Sequence, residues 1–406
     1  MEKKQTEKTW YGFQLLDVVH EKILPDYAMT AREGRIIWMG PSAALSPEQR
    51  EQAEDLTGKT VMPGMFNCHV HALATPTANP VSFNTEDPAK FALRGLNHLQ
   101  QHLRSGVTFV RDMNGRKQAE VGLRDAINQG IVIGPHYIIS RQCLCMTGGH
   151  GSNTGMECDG PDACRRAARE QIKYGADLIK IMASGGMMSP GMEASSPQLT
   201  EEEMRAAIEE AHKAGKKTAT HAHSAAAIKC AIRAGIDSVE HGTYLDDECV
   251  QMMLDRGVWL VPTLSAIHFL MLHQTDPNIP SYALDKCRRA RDAQVASFQK
   301  ALKAGVSIAA GTDAGTPYNP HWGSYTELCK MVEYGCTPWH ALRAATIDGA
   351  RMIGVEDWTG SLEVGKTADF LALDTNPLED VGSLASVGRV YLGGRRVHLD
   401  DLQLDA

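Results

Sequence analysis

The stretch from Val61 to Ala72, VMPGMFNCHVHA, decides how the rest of the chain can be organised. A short apolar run, broken by Pro63 and Gly64, leads into a strand-like segment that ends on His69 and His71. Side chains alternate between the two faces of a strand, so residues two apart point the same way. Both imidazoles could reach one metal ion, although ordinary core or surface histidines remain the alternative for a single pair. The pattern predicts a metal site if further ligands end other strands.

Composition restricts the class of protein. The 406 residues suffice for one large domain and a smaller one, and 43% hydrophobic with 22% charged residues is ordinary for a globular enzyme. The formal net charge of −8 disfavours contact with phosphate backbones or acidic lipids, so we expect neither a nucleic-acid nor a membrane partner. No apolar run reaches the roughly 18 residues of a membrane span.

The cysteines and the N-terminal segment predict a compartment. MEKKQTEKTWYGFQ carries charges but lacks the apolar stretch of a secretion signal. Ten cysteines are scattered without a CxxC pair, and the closest two, Cys143 and Cys145, are better interpreted as free thiols than as a disulfide or zinc framework. Free thiols suit a reducing environment, so we expect a cytoplasmic protein.

Strand-like and helix-like segments alternate through the middle of the chain. The eight strand candidates are MFNCHVH, GVTFVRD, VIGPHYIIS, DLIKIMAS, KTATHAH, IDSVEH, GVWLVPT and GVSIAAGTD. A loop and an amphipathic helical stretch follow each candidate. This order predicts an α/β protein with a parallel (β/α)8 TIM barrel, whose active site would lie at the carboxyl ends of the strands. A doubly wound open sheet is the alternative, but no GxGxxG loop follows the first strand.

Both ends of the chain contain short strand signals instead. Runs between residues 14 and 61 are punctuated by Pro25 and Gly34, and TADFLALD and GRVYLGGRRVH lie near the other end. We therefore expect the ends to pair into a small discontinuous β-sandwich domain, residues 1–61 and 360–406. The barrel domain would occupy residues 62–359.

Polar side chains end five of the predicted strands. They are His69 and His71, then Lys180, then His221 and His223, then His241, and finally Asp313. Such groups are costly to bury without partners, so a shared cation is the simplest explanation for all of them. Neutral imidazole and carboxylate suit zinc and its neighbours among the divalent metals.

Lys180 is the most informative member of this set, because it lies in the apolar strand DLIKIMA and an ammonium group would be repelled by a metal ion. One interpretation is a buried lysine paired with a carboxylate. The other is a carbamate, formed when the amine carries CO2, which would be an anionic ligand with two oxygens able to bridge two metal ions. The residues alone leave both interpretations open.

Taken in order, the motifs of this chain resemble those of the amidohydrolase superfamily, in its imidazolonepropionase-like and prolidase-like branch. The motifs are GRIIWMG, PGMFNCHVHA, IKIMASGG, THAH, VEHGT, GTDAG and EVGKTADFLALD. The resemblance implies two divalent metal ions, with Zn2+ preferred. It implies that His69, His71 and Asp313 hold one ion. It assigns His221 and His241 to the other, with a carboxylated Lys180 as the bridge.

The remaining histidine assignments are of three kinds. Spacing cannot choose between His221 and His223, which face the same way at one strand end. The resemblance implies that His221 is the ligand, which leaves His223 for the substrate. His150 lies in the loop sequence TGGHG, where glycines permit close approach to a ligand, so we predict a second substrate contact. His98 and His102 lie on helical stretches and are interpreted as surface or packing residues.

The resemblance implies hydrolysis of a C–N bond by a hydroxide that bridges the metals, with Asp313 as the catalytic residue that moves the proton to the leaving amine. IKIMASGG and THAHS resemble motifs of enzymes that cleave small molecules: Xaa-Pro dipeptides, dipeptides with a hydrophobic C-terminal residue, or N-acyl amino acids. A cyclic amide, as in imidazolonepropionase, and a carbamate, urea or toxin amide are alternatives. A mononuclear deaminase is a remote one, because it has no use for Lys180. Relatives commonly form multimers, so a homo-oligomer is expected.

Overall fold

The structure, a computed structural model, describes residues 7–78, 87–116, 118–398, 400 and 402–405. Its strands are β1 (Glu7–Asp17), β2 (Lys22–Arg32), β3 (Arg35–Pro41), β4 (Glu54–Asp55), β5 (Thr60–Pro63), β6 (Met65–Val70), β7 (Val107–Asp112), β8 (His136–Ile139), β9 (Leu144–Cys145), β10 (Met156–Glu157), β11 (Leu178–Met182), β12 (Lys217–Ala222), β13 (Ser238–His241), β14 (Trp259–Val261), β15 (Phe370–Leu373), β16 (Arg389–Leu392), β17 (Arg395–His398) and β18 (Gln403–Leu404). Its α-helices are α1 (Pro47–Glu51), α2 (Pro88–Arg104), α3 (Ala119–Asn128), α4 (Pro161–Lys173), α5 (Glu201–Lys213), α6 (Ala225–Ala234), α7 (Asp247–Arg256), α8 (Leu264–Leu272), α9 (Ser281–Ala304), α10 (Ser324–Glu333), α11 (Pro338–Ala344) and α12 (Ile347–Ile353).

Strands from both ends of the chain pair in one sheet. Its order is β18-β17-β16-β15-β5-β1-β2-β3, with β4 paired to β1. The two ends meet where β5 and β15 run antiparallel, with Pro63 opposite Phe370. Trp10, Phe370 and Tyr391 pack together in a buried cluster, and the last two rings stack at 4.1 Å. The ends of the chain therefore pair with each other, while the two-domain division and a sandwich of two sheets stay predictions.

The strands of the middle of the chain form two parallel sheets. One has the order β6-β7-β8 and the other β10-β9-β11-β12-β13-β14. Between the two sheets, the backbone N–H of Asp177 donates to the carbonyl of Ile139 at 2.8 Å. Ile308 and Ala314 form isolated parallel bridges with β14 and β6. The fold is thus mixed α/β with parallel strands in the predicted order, and one continuous eight-stranded barrel stays a prediction.

The eighth predicted strand, GVSIAAGTD, is not a regular strand among the described residues. Its backbone makes irregular contacts instead: the N–H of Ala310 donates to Ala344, and that of Asp313 donates to His69 at 2.7 Å. Asp313 has φ 62°, in the left-handed region, which turns the chain out of an extended conformation. Gly311 is required beside His69, because a Cβ there would lie 2.9 Å from the His69 backbone nitrogen.

Helix ends follow from local sequence. Thr200 caps α5 and forms a reciprocal capping box with Glu203. Gly235 and Gly305 end α6 and α9 in the left-handed conformation, with φ of 103° and 83°, which returns the chain toward the next parallel segment. Within the described ranges, no helix combines the length and the apolar character that crossing a membrane requires.

Candidate metal centre

His69, His71 and Asp313 come together where β6 ends. The Nε2 atoms of His69 and His71 lie 3.3 and 3.0 Å from Oδ1 of Asp313. One ligand atom from each of the three residues lies within 4.8 Å of the others, so the group could hold a metal ion. His69 and Asp313 are buried, and His71 is half-buried.

A second group forms at the ends of β12 and β13. The ring centroid of His221 lies 4.6 Å from that of His223 and 4.5 Å from that of His241. These three buried imidazoles also offer ligand atoms within 4.8 Å of one another. The two groups adjoin, because the rings of His69 and His241 are 5.1 Å apart. All three histidines of this group are thus placed where a metal ion could bind.

Lys180, from β11, is buried beside both groups. Its side chain is 1% exposed, and its Nζ atom has no hydrogen-bond partner among the described residues. Burial lowers the pKa of this amine to about 8, although Glu240 and Asp313 act in the opposite direction. An orphaned amine in an apolar strand is costly, and carboxylation would give it two oxygens for neighbouring cations. The donor set therefore fits divalent metal ions, and Lys180 would add an anionic ligand if it were carboxylated.

A buried ion pair orients His69 from behind. Its Nδ1 atom lies 2.8 Å from Oε2 of Glu240, whose other oxygen accepts from Arg111 at 2.9 Å and from Ser238 at 2.7 Å. Burial alone would raise the pKa of Glu240, but Arg111 and His69 lower it to about 2. The ionised carboxylate holds the proton on Nδ1 of His69, so Nε2 is left to accept a metal.

Hydroxyl and carbonyl oxygens orient the second group. Nδ1 of His241 lies 2.7 Å from the hydroxyl of Thr263, and Nδ1 of His223 lies 2.7 Å from that of Thr243. His221 uses the other nitrogen, because its Nε2 lies 2.9 Å from the carbonyl of Gly185. Each ring therefore keeps one nitrogen available to the site.

Burial sets the protonation states. Burial and the nearby charge of Lys180 lower the pKa of His69 to about 4. Burial and the neighbouring imidazoles lower the pKa values of His221 and His241 well below the ordinary value. Burial would raise the pKa of Asp313, but His69 and His71 lower it overall. Neutral imidazoles and an ionised carboxylate are the forms that bind metal ions.

The backbone at two of these residues is strained. His241 has φ 72° and Asp313 has φ 62°, although neither is glycine. Left-handed conformations of such residues cost about 1–3 kcal/mol and persist where the surroundings enforce them, commonly at functional sites. Here the strain aims both side chains at the same centre.

A cavity of about 610 Å3 gives access to the centre, and its lining includes both histidine groups, Lys180 and His150. The ring of His150 lies 4.2 Å from that of His221, and its Nδ1 lies 2.7 Å from the hydroxyl of Ser189. Gly186 is required beside this ring, because a Cβ there would lie 2.2 Å from Cε1 of His150. His150 and His223 both line the cavity, so each is placed for contact with a substrate.

Sequence reasoning missed the residues behind the site. Arg111 and Glu240 are charged residues inside the apolar strand candidates GVTFVRD and IDSVEH, and this was the available signal.

His98 and His102 are buried packing residues, and both contact His321. The His98 and His321 rings stack at 4.0 Å, while Nδ1 of His321 lies 3.2 Å from Nε2 of His102.

Comparison with known proteins identifies the family of this chain. Residues 60–397 match the model of the amidohydrolase family. An ochratoxinase from Aspergillus niger is 33% identical over 367 residues, which cover 82% of this chain and 75% of the relative. The solved structure of a Xaa-Pro dipeptidase with methionine bound in its active site has a TM-score of 0.90 and 31% identity, and the match covers 96% of this chain and 99% of that one. An imidazolonepropionase from Pseudomonas putida is 23% identical over 386 residues, 86% of this chain and 88% of the relative.

The chain therefore belongs to the amidohydrolase family, whose members are TIM barrels and typically use divalent metal ions. It is a hydrolase that acts on carbon–nitrogen bonds. Within the family it is of the prolidase and ochratoxinase type, which acts on amide bonds. The predicted family and the predicted class of reaction are confirmed.

Proposed function

We propose that this protein hydrolyses the amide bond of a dipeptide or an N-acyl amino acid with the help of two divalent metal ions, with Zn2+ preferred. The observation that carries the proposal is that two groups of candidate metal ligands line one cavity together with the buried Lys180, whose Nζ atom has no hydrogen-bond partner among the described residues. Similarity to a Xaa-Pro dipeptidase, whose name specifies a dipeptide substrate, supports the substrate class.

The proposal gives each ligand a role. His69, His71 and Asp313 would hold one ion, and His221 and His241 would hold the other. Lys180, carboxylated by CO2, would lie between them as an anionic bridge. This assignment would replace a buried amine, which has no hydrogen-bond partner among the described residues, with an anionic group able to bind the cations. When bound, the two cations would lower the pKa of a water molecule and polarise the substrate carbonyl.

Asp313 is placed to move the proton. As an ionised carboxylate beside His69 and His71, it can accept a proton from the attacking water. It would then return that proton to the leaving amine. A carboxylate that titrates below its ordinary pKa range is in the required form at neutral pH.

His150 and His223 would stabilise the carbonyl oxygen as negative charge develops on it. If the Thr243 hydroxyl donates its proton to Nδ1 of His223, the proton of that ring lies on Nε2. If the Ser189 hydroxyl donates to Nδ1 of His150 in the same way, the proton of His150 also lies on Nε2. Two preorganised N–H donors at this position would act mainly in the transition state.

A substrate panel tests the proposal. Metal-loaded protein would be incubated with Xaa-Pro dipeptides, dipeptides with a hydrophobic C-terminal residue, N-acyl amino acids, cyclic amides, carbamates, ureas and toxin amides. Free amines and ring-opened products would be quantified by mass spectrometry. Release of amino acids from the first three classes supports the proposal. Ring opening without amine release, or cleavage of carbamates, ureas or toxin amides alone, would replace it with the corresponding alternative. The barrel, the homo-oligomer and the cytoplasmic location stay predictions alongside it.

A further inference from the structure

The charged groups of the cavity wall are few. Of the described lining residues with a carboxylate, ammonium or guanidinium group, Lys180 and Asp313 belong to the metal centre itself. The remaining one is Arg116, in the loop that follows β7. Outside the catalytic centre, the described lining thus offers one guanidinium and no carboxylate, which favours an anionic group on the ligand.

Arg116 is held in place by its surroundings. Its backbone N–H donates to Oε2 of Glu120 at 3.0 Å, and its guanidinium carbon lies 6.0 Å from the centre of the Phe91 ring. The side chain is half-buried. Burial lowers the pKa of the guanidinium while Asp112 raises it, and the group keeps its charge at neutral pH. A planar, partly desolvated guanidinium is suited to two parallel hydrogen bonds with a carboxylate.

The same loop is tied to the loop that carries His150. Asn114, which also lines the cavity, donates from Nδ2 to the hydroxyl of Thr154 at 2.6 Å. Its Oδ1 accepts from the backbone of Cys143 at 3.2 Å. Arg116 therefore belongs to a wall whose position is coupled to that of the substrate-contacting histidine.

Another part of the cavity is apolar and comes from the loop after β11 and from helix α8. Its members are Met187, Met188, Met192, Ile267 and Leu270. Met187 packs against the buried cluster that contains Ile267 and Leu270, so this part is continuous with the core. Methionine-rich walls adapt to large apolar groups of varied shape.

We infer that Arg116 binds the free carboxylate of the leaving amino acid, while a bulky apolar acyl group lies along the methionine-rich wall. The inference rests on the proposed function and deepens it by assigning the specificity for a carboxylate to one residue. The volume of about 610 Å3 accommodates a ligand larger than a minimal dipeptide.

Two matched amides test the inference: N-benzoyl-L-phenylalanine, and N-benzoyl-2-phenylethylamine, which has the same scissile bond without the carboxylate. Kinetics on both would be measured for the wild-type chain, Arg116→Gln, Arg116→Lys and the control Arg94→Gln. Arg94 is a matched control because it also lies near the Phe91 ring, at 5.6 Å, but does not line the cavity. Thermal unfolding of each variant would check that the fold is retained.

For Arg116→Gln we expect kcat/KM on the carboxylate substrate to fall about 30-fold, mainly through KM, with less than about a twofold change on the other amide. On the carboxylate substrate, the kcat/KM of Arg116→Lys should lie between those of the wild type and Arg116→Gln. The kcat/KM of Arg94→Gln should match that of the wild type. Equal losses on both amides, or no loss on either, would overturn the inference. If the wild type releases amine neither from these amides nor from any dipeptide or N-acyl amino acid of the substrate panel, it is the proposed function that fails. Hydrolysis of panel substrates without activity on N-benzoyl-L-phenylalanine would overturn the inference instead, so the two failures are distinguishable.

Discussion

The carboxylate of Glu240 lies 2.8 Å from Nδ1 of His69, and both side chains are fully buried behind the metal centre. The contact joins strands β6 and β13, which each contribute a ligand candidate to a different group. Since Arg111 binds the same carboxylate, one ion pair supports both halves of the centre.

Glu240→Gln should weaken metal binding. The amide can orient its NH2 group toward His69, which would reverse the ring tautomer, and the buried Arg111 would lose its counter-ion. We expect metal affinity to fall about 10–100-fold and the metal-free protein to lose about 3 kcal/mol of unfolding free energy. Elemental analysis after dialysis against increasing concentrations of chelator measures the metal affinity, and urea unfolding measures the stability of the metal-free protein. Glu202→Gln, at an exposed position of α5, is the control. Unchanged retention of metal in Glu240→Gln would contradict this role.

Asp313→Asn should preserve the fold and most of the metal while turnover falls at least about 1000-fold, because the amide cannot accept and return a proton. Steady-state kinetics on the best substrate of the panel, with metal content measured on the same samples, would separate these effects. Asp247→Asn, on the exposed first turn of α7, controls for the loss of one negative charge. Activity near the wild-type value would remove Asp313 from the mechanism.

Lys286 should control the loop that carries Ser189. From α9, its Nζ donates to the carbonyls of Ser189 at 2.6 Å and Gly186 at 3.2 Å, and Ser189 in turn contacts His150. For Lys286→Met we expect faster backbone hydrogen exchange in residues 184–198 and about a tenfold lower kcat/KM, because His150 loses its fixed orientation.

Lys300→Met is the matched control for Lys286, since Lys300 lies on the same helix and pairs with the exposed Asp247 at 2.7 Å. Hydrogen exchange detected by mass spectrometry, with kinetics on the same preparations, compares the two variants. Equal exchange in both would show that α9 does not hold the loop through Lys286.

His136 should make the stability depend on pH. Its Nε2 lies 3.0 Å from Oδ2 of Asp369. The pKa of His136 is raised overall, because the attraction of Asp369 outweighs the lowering effect of burial. The pKa of Asp369 is lowered overall, because the attraction of His136 outweighs the raising effect of burial. The pair therefore stabilises the fold most between the unfolded-state pKa values, about pH 4 to 6.5, and this contribution is lost as pH rises through the raised pKa of His136.

The corresponding experiment is urea unfolding of the wild type and His136→Gln at about pH 5.5 and about pH 8.5. The difference in unfolding free energy should be about 0.5–1 kcal/mol at the lower pH and smaller at the higher pH. The contribution of this ion pair to stability is small because the His136 side chain is 37% exposed to solvent. A difference that grows with pH would have the wrong sign for this account.

Local patterns predicted the parallel strand order and the ligand candidates, because a strand end with His-x-His or an isolated lysine is visible in a few residues. The Arg111–Glu240 pair is separated by 129 positions, so only the folded strands bring it next to His69. The eighth predicted strand is present only as isolated parallel bridges at Ile308 and Ala314, because the backbone N–H groups between them bond irregularly, that of Ala310 to Ala344 and that of Asp313 to His69. The proposed carboxylation of Lys180 would be a chemical modification of the folded chain, so the sequence can suggest it only through the apolar surroundings of the amine.

The most direct test of the paired-cation centre is the number of metal ions bound per chain, measured by elemental analysis at each step of a chelator titration alongside amide hydrolysis. We predict about two divalent ions per chain in the active protein, loss of activity as they are removed, and recovery when Zn2+ and bicarbonate are restored. Full activity in a preparation stripped of metal, or no more than one ion per chain at full activity, would contradict the account.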